Sequence, residues 1–198
     1  MKKILILMLT ISLLSCSNDE IQTPKPNYSA FLNKRTPSLK GKLNSQLINW
    51  EFGNEYQMTT GYSNGNGVCS ITNPFRILFF GLTDNNDSSN QIFFITPKMD
   101  TSKQNEVKNV LSIGQKQFGD SYNKFQFHIR KNNNLYSVSP NSNQKLEILK
   151  TEFLSNHNYM LVWIKIDNLE LENSNQSGEK IYLKDGFMIA KLYGHIFE

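Results

Sequence analysis

Cysteine and histidine are nearly absent from this 198-residue sequence, with two and three copies. Two cysteines allow one disulfide at most, which excludes a scaffold stapled by several bridges. No two of His128, His157 and His195 have the spacing of zinc ligands, so no metal and no cofactor is expected. Long apolar runs are missing as well: residues 4–14, broken by Thr10 and Ser12, amount to about half of the roughly 20 residues that cross a bilayer as a helix. The sequence holds no P-loop and no dinucleotide fingerprint. Gly119-Asp120-Ser121-Tyr122-Asn123 begins like a nucleophile elbow but has asparagine in place of the second glycine. The segment 84–87 offers carboxylates without the alternation, glycine and closing glutamate of a calcium loop. These absences favour a protein that is not an enzyme.

What is present begins with the leader. Lys2 and Lys3 precede the apolar run, and the small Ser15 precedes Cys16, the three-part plan of a secretory signal. Leu13-Leu14-Ser15-Cys16 resembles the bacterial lipobox, in which the cysteine becomes the first residue of the processed chain and carries the lipid. The resemblance implies a signal peptide over 1–15 and a membrane partnership through lipid on Cys16. Ser17-Asn18-Asp19-Glu20 resembles the serine-and-acid signal that sends some Gram-negative lipoproteins to the cell exterior, with Asn18 interposed. The localisation implied is the outer membrane, lipid-anchored, at the cell surface.

A chain cut before Cys16 has 19 basic against 17 acidic side chains, scattered rather than clustered, so nucleic acid is not an expected partner. Cys69, left alone, is expected to be a buried strand residue. Residues 16–38 are polar and contain Pro24, Pro26 and Pro37, the composition of a lipidated flexible tether. The domain is expected over 39–198. There, short β-branched and aromatic runs alternate with turn signals such as Asn44-Ser45, Asn132-Asn133 and Asp185-Gly186. The run 74–83 is apolar on both faces and is expected to be central and covered twice. Thr101 and Gln104 have capping-box spacing ahead of Val107, Val110 and Leu111, which predicts one short helix over 102–112, stopped at Gly114. The expectation is an all-β fold, a two-sheet antiparallel β-sandwich with one short helix. Leader, tether and sandwich together are similar to small surface lipoproteins of Gram-negative bacteria.

Two sets of residues are candidates for binding. In "MLVWIKID", Val162, Ile164 and Ile166 share one face, which leaves Trp163 with Lys165 and Asp167 on the other. A tryptophan on a polar face stacks on a sugar ring, and Trp50, Tyr56 and Tyr62 are candidates to extend it into a platform. The competing reading buries Trp163 under the tether, a helix or a second sheet. In "FQFHIRK", His128 shares a face with Gln126 and Arg130, opposite Phe125, Phe127 and Ile129, either a polar groove or a solvated strand face. The function expected is a non-enzymatic module that binds a glycan or protein ligand, or is an accessory to a larger complex. A hydrolase with a dispersed site, drawn from His128 or from Asp167, Glu170, Glu172 and Asp185, and a structural or adhesive module are the alternatives.

Overall fold

The computed structural model describes residues 28–63, 75–119, 121–139, 142–154 and 159–193. Cys16, Cys69, His157 and His195 lie outside them. In chain order the elements are α1 (Tyr28–Asn33), β1 (Ser38–Leu43), β2 (Gln46–Glu51), β3 (Tyr56–Ser63), β4 (Phe75–Asp84), β5 (Gln91–Ile95) and β6 (Met99–Asp100). There follow α2 (Gln104–Val110), β7 (Gly114–Gln117), β8 (Gln126–Lys131), β9 (Asn134–Val138), β10 (Lys145–Leu154), β11 (Tyr159–Asn173) and β12 (Lys180–Tyr193).

The fold is all-β and antiparallel. One hydrogen-bonded path runs β2-β1-β12-β11-β9-β8-β5-β4-β3, with β10 on β11, β7 on β10 and β6 on β4. The facing layers are two sides of this single sheet, which curls until β3 reaches the far edge of β12. One core fills it: Leu78, Phe80 and Leu82 from β4, Phe94, Phe127, Ile129, Ile164, Leu171 and Met188 are among the side chains closed to solvent. Each such side chain contributes about 1.5–3 kcal/mol relative to exposure. Period-two alternation decides which residues these are, since a slip of one position would turn every one of them outward.

The local signals act as their chemistry requires. Asn44 and Ser45 both take positive φ, 48° and 68°, in the β1–β2 turn, and Asn132 and Asn133 do so at 51° and 65° between β8 and β9, the two-residue hairpins whose twist matches the strands. Asp185-Gly186 is not a hairpin turn. It is a bulge within β12, where Asp185 has φ 51° and the pairing to β1 shifts register between Lys40–Phe187 and Lys42–Lys184, while the pairing to β11 keeps its register across it. Gly41 of β1 fits against that bulge, and a Cβ there would stand 3.0 Å from the Lys184 carbonyl oxygen.

There are two short helices rather than one. α2 lies inside the predicted range, with Val107 and Leu111 buried, but Thr101 and Gln104 do not cap it. Asp100 Oδ1 accepts from the Ser102 backbone N–H at 3.0 Å, and Glu106 Oε1 accepts from the Asp100 N–H at 2.8 Å. The helix ends at Leu111, and Gly114, with φ 122°, opens β7 instead. The part of the predicted tether that is described, 28–38, holds α1, a short connection and Ser38, the first residue of β1.

The seam of the curl is a side chain. β1 covers the outer edge of β12 from Leu183 to Ile189 and no further. Beyond it, Thr60 of β3 accepts from the Tyr193 N–H at 3.0 Å and donates to the Lys191 carbonyl at 2.8 Å. Thr60→Val preserves shape and leaves both main-chain groups unpaired, an expected loss of about 2 kcal/mol. In a domain of this size the melting temperature then falls by roughly 4–8 °C. Thr60→Ser is expected to retain most of the stability in the same thermal melts.

Candidate functional site

The curled sheet has two outward faces, and they differ. On β10, β11 and β12 the outward residues Leu161, Trp163 and Ile189 are apolar and buried, because α1 lies over them with Phe31 and Leu32. Trp163 holds the helix down: its Nε1–H points at the carbonyl oxygens of Lys34 (2.9 Å) and Phe31 (3.2 Å). Both carbonyls lie at the end of the helix, where the last acceptors outnumber the helix's own donors; the Phe31 oxygen also accepts from the Lys34 N–H at 3.1 Å. Lys150 lies 4.4 Å above the Trp163 ring and donates to the Leu32 carbonyl at 3.4 Å. Ion pairs Lys34–Glu51 and Arg35–Glu152, both 2.6 Å, and the Phe31–Phe187 edge contact at 5.1 Å complete the attachment. Beside the helix a mostly apolar cleft of about 430 Å³ opens between Tyr28, Phe31, Lys40 and Phe187.

Trp163 is thus fully buried, and the aromatic platform expected around it does not form. Trp50 stacks on Tyr56 with ring centres 5.0 Å apart, and both pack against the main core. Burial, with Asp84 and Glu55 nearby, pushes the Tyr56 phenol up to about 12. Tyr62 is at the seam, under the Arg76 guanidinium (4.1 Å) and 6.2 Å from the Tyr193 ring. The four residues stand in three separate environments.

The second outward face, on β3, β4, β5, β8 and β9, carries no helix or strand over it among the described residues. Its side chains fall in three rows fixed by strand register. Gln57, Thr83, Gln91, Arg130 and Leu135 form the first row; Thr59, Gly81, Phe93, His128 and Ser137 the second; Gly61, Phe79, Ile95 and Gln126 the third. The two glycines let the aromatic rings lie down. A Cβ on Gly61 would be 2.7 Å from the tip of the Phe79 ring, and one on Gly81 would be 3.1 Å from Phe93. Both phenylalanines, with Ile77 and Ile95, are half-buried. The run expected to be covered twice is covered once.

His128 and Arg130 belong to this face, together as predicted. His128 Nδ1 is 2.8 Å from Ser137 Oγ, which is 3.2 Å from Ser174 Oγ. Arg130 donates to Gln91 Oε1 at 3.0 Å. Phe79 and Phe93 were missed from sequence because a ring lying on a glycine of the next strand is visible only once register is known. The signal available was the doubly apolar run itself.

The carboxylates considered for hydrolysis are engaged elsewhere. Asp167 pairs with Lys165 (2.8 Å), Glu170 with Lys180 (2.5 Å) and Asp185 with Lys42 (2.9 Å), while Glu172 accepts from the Gly178 N–H (3.4 Å). Asp84 and Asp87 turn inward on their own loop, accepting from Asn86 N–H at 2.8 Å and Ser89 N–H at 2.9 Å. Among the described residues no three of histidine, cysteine, aspartate and glutamate gather as metal ligands would.

Fold and face together define the class: an antiparallel all-β protein with one outward face capped by its own helix and the other open. No family model matches the chain, nor does any curated protein or solved structure.

Burial holds the His128 imidazole below its usual value of 6.5. The unfolded chain therefore takes up the proton first as pH falls, and stability present above 6.5 is lost progressively down through the lower folded value. The urea midpoint of the wild type is expected to drop more than that of His128→Gln between about pH 7.5 and about pH 5.5. Equal drops would place the pH dependence on other groups.

Proposed function

We propose that the protein is a non-enzymatic binding module, anchored by lipid on Cys16 in the outer membrane at the cell surface, and that it receives a glycan on the open face of β3, β4, β5, β8 and β9. The observation that carries this is the pair Phe79 and Phe93, laid on Gly61 and Gly81 and only half-buried among amides and hydroxyls. A pyranose ring has an apolar face of C–H groups and an equatorial rim of hydroxyls. A flat aromatic surface takes the first, and the neighbouring polar side chains take the second. Gln57, Thr59, Gln91, Gln126, His128 and Ser137 supply donors and acceptors on three sides of the rings.

The capped face supports the anchored arrangement. The first described residues, Tyr28–Asn33, lie as α1 on the half of the sheet that they cover. Eleven residues lie between Cys16 and Tyr28, a reach of about 40 Å when fully extended. The open face belongs to the other half of the curl, away from α1.

Phe93→Ala and Phe79→Ala are each expected to weaken glycan binding about tenfold, near 1.4 kcal/mol, with thermal stability changed far less than for a core phenylalanine. Affinity electrophoresis against a panel of soluble polysaccharides reads this, and a wild-type protein retarded by none of them would remove the proposal. For the anchor, Cys16→Ser is expected to abolish metabolic labelling with palmitate and to leave the precursor uncleaved. Label persisting in the variant would place the lipid elsewhere.

A further inference from the structure

Resting on the glycan reading of the open face, we propose that the glycan is an acidic one and that Arg130 binds its carboxylate or sulfate. Three observations converge. None of the outward positions of β3, β4, β5, β8 and β9 carries a carboxylate, although the sequence holds 17 acidic residues. The charge this face presents is therefore positive, from Arg130, with His128 two positions away on the same strand. Arg130 is also held without the carboxylate that Arg35, Lys34, Lys42, Lys103, Lys165 and Lys180 each meet. Arg130 takes part in no such pair among the described residues, and its partner is the neutral Gln91 amide at 3.0 Å.

A guanidinium has five N–H donors in one plane. Gln91 uses one and fixes that plane against the sheet, so the remaining donors form a preset fork of the kind that grips a carboxylate or sulfate with two parallel bonds. Arg130 is half-buried, where its field is less screened than that of a fully solvated lysine. It stands one row from Phe93, because Gln91–Arg130 and Phe93–His128 are successive pairs of β5 and β8. Adjacent rows are about 7 Å apart along a strand, a separation suited to a sugar ring on Phe93 with its acidic substituent toward Arg130. Glu172 of β11 lies beyond Ser137 at the end of the second row and accepts from the Gly178 N–H.

The test pairs each acidic probe with a neutral form of the same backbone: oligogalacturonate with its methyl ester, and chondroitin sulfate oligomers with the desulfated, esterified product. Calorimetric titration of the intact domain is expected to show at least one acidic form binding ten times more tightly than its neutral counterpart, with the gap closing as salt is added. Arg130→Gln should erase the gap and leave the neutral form unaffected, Arg130→Lys should restore part of it, and Phe93→Ala should weaken both forms. Equal binding of acidic and neutral forms, still sensitive to Phe93→Ala, overturns the acidic inference and leaves the glycan reading standing. A loss of both forms alike in Arg130→Gln makes the arginine structural and overturns its role. Binding of neither form, on either backbone, overturns both.

Discussion

Two strands outrun every neighbour they have, and the need to pair their main-chain groups shapes the molecule. β11 has 15 residues and β12 has 14, joined to one another along almost their whole length. On its far side β12 meets β1 at Leu183 to Ile189, and on its far side β11 meets β10 up to Lys165 and β9 from Leu171. The gaps between these partners would leave N–H and carbonyl groups unsatisfied in a poorly hydrated place, which costs about 1–3 kcal/mol each. Single side chains close them. Thr60 serves Lys191 and Tyr193, the Gln144 amide serves both the N–H and the carbonyl of Glu170, and Asn44 Oδ1 accepts from the Tyr182 N–H at 2.9 Å. Because Thr60 belongs to β3, at the opposite end of the sheet path, meeting that need bends the sheet back on itself and encloses the core.

A sheet curled around one core has outward faces with no second layer, and the two halves resolve this in opposite ways. The half built from β10, β11 and β12 has large apolar groups outward, Trp163, Leu161 and Ile189, and recruits α1 to cover them. The helix has only 6 residues, far too few to be stable alone. Its carbonyls are satisfied by Trp163 and Lys150, so the sheet makes the helix as much as the helix covers the sheet. The other half reduces its exposed apolar area by folding Phe79 and Phe93 flat over Gly61 and Gly81, which shields the backbone beneath and leaves the rings accessible. Fields differ too: the capped side is laced with ion pairs, whereas the open side has no outward carboxylate on its strands.

Those devices divide what the sequence discloses from what it hides. Alternation and turn chemistry are local, so the strands around Trp50, Phe127 and Ile164 and the hairpins at Asn44-Ser45 and Asn132-Asn133 are legible residue by residue. So is the pairing of His128 with Arg130 on one face. α1 is not legible, because its stability comes from Trp163, some 130 positions away, and the prolines around it suggest a linker. Asp185-Gly186 has the composition of a hairpin turn, yet β11 continues in register on one side of it, and a bulge against β1 on the other keeps β12 paired with both. The open face is hidden for a third reason. Its rings acquire their orientation from glycines on neighbouring strands, and only register brings Phe79 to Gly61 and Phe93 to Gly81.

The same ladder geometry weighs binding against catalysis on the open face. A residue in the middle of a sheet has its N–H and carbonyl engaged with its neighbours, so an outward face offers side chains alone. Ser137 and His128 are in hydrogen-bond contact, the first step of nucleophile activation. Acyl transfer also needs donors aimed at a developing oxyanion, and the main chain around these two is committed to β5, β9 and β11. Stacking and hydrogen bonding to hydroxyls ask for nothing from the main chain. Flat rings, amides, an imidazole and an arginine fixed by a neutral amide are sufficient for them, and this face carries all of those groups beside the hydroxyls of Thr59, Thr83 and Ser137.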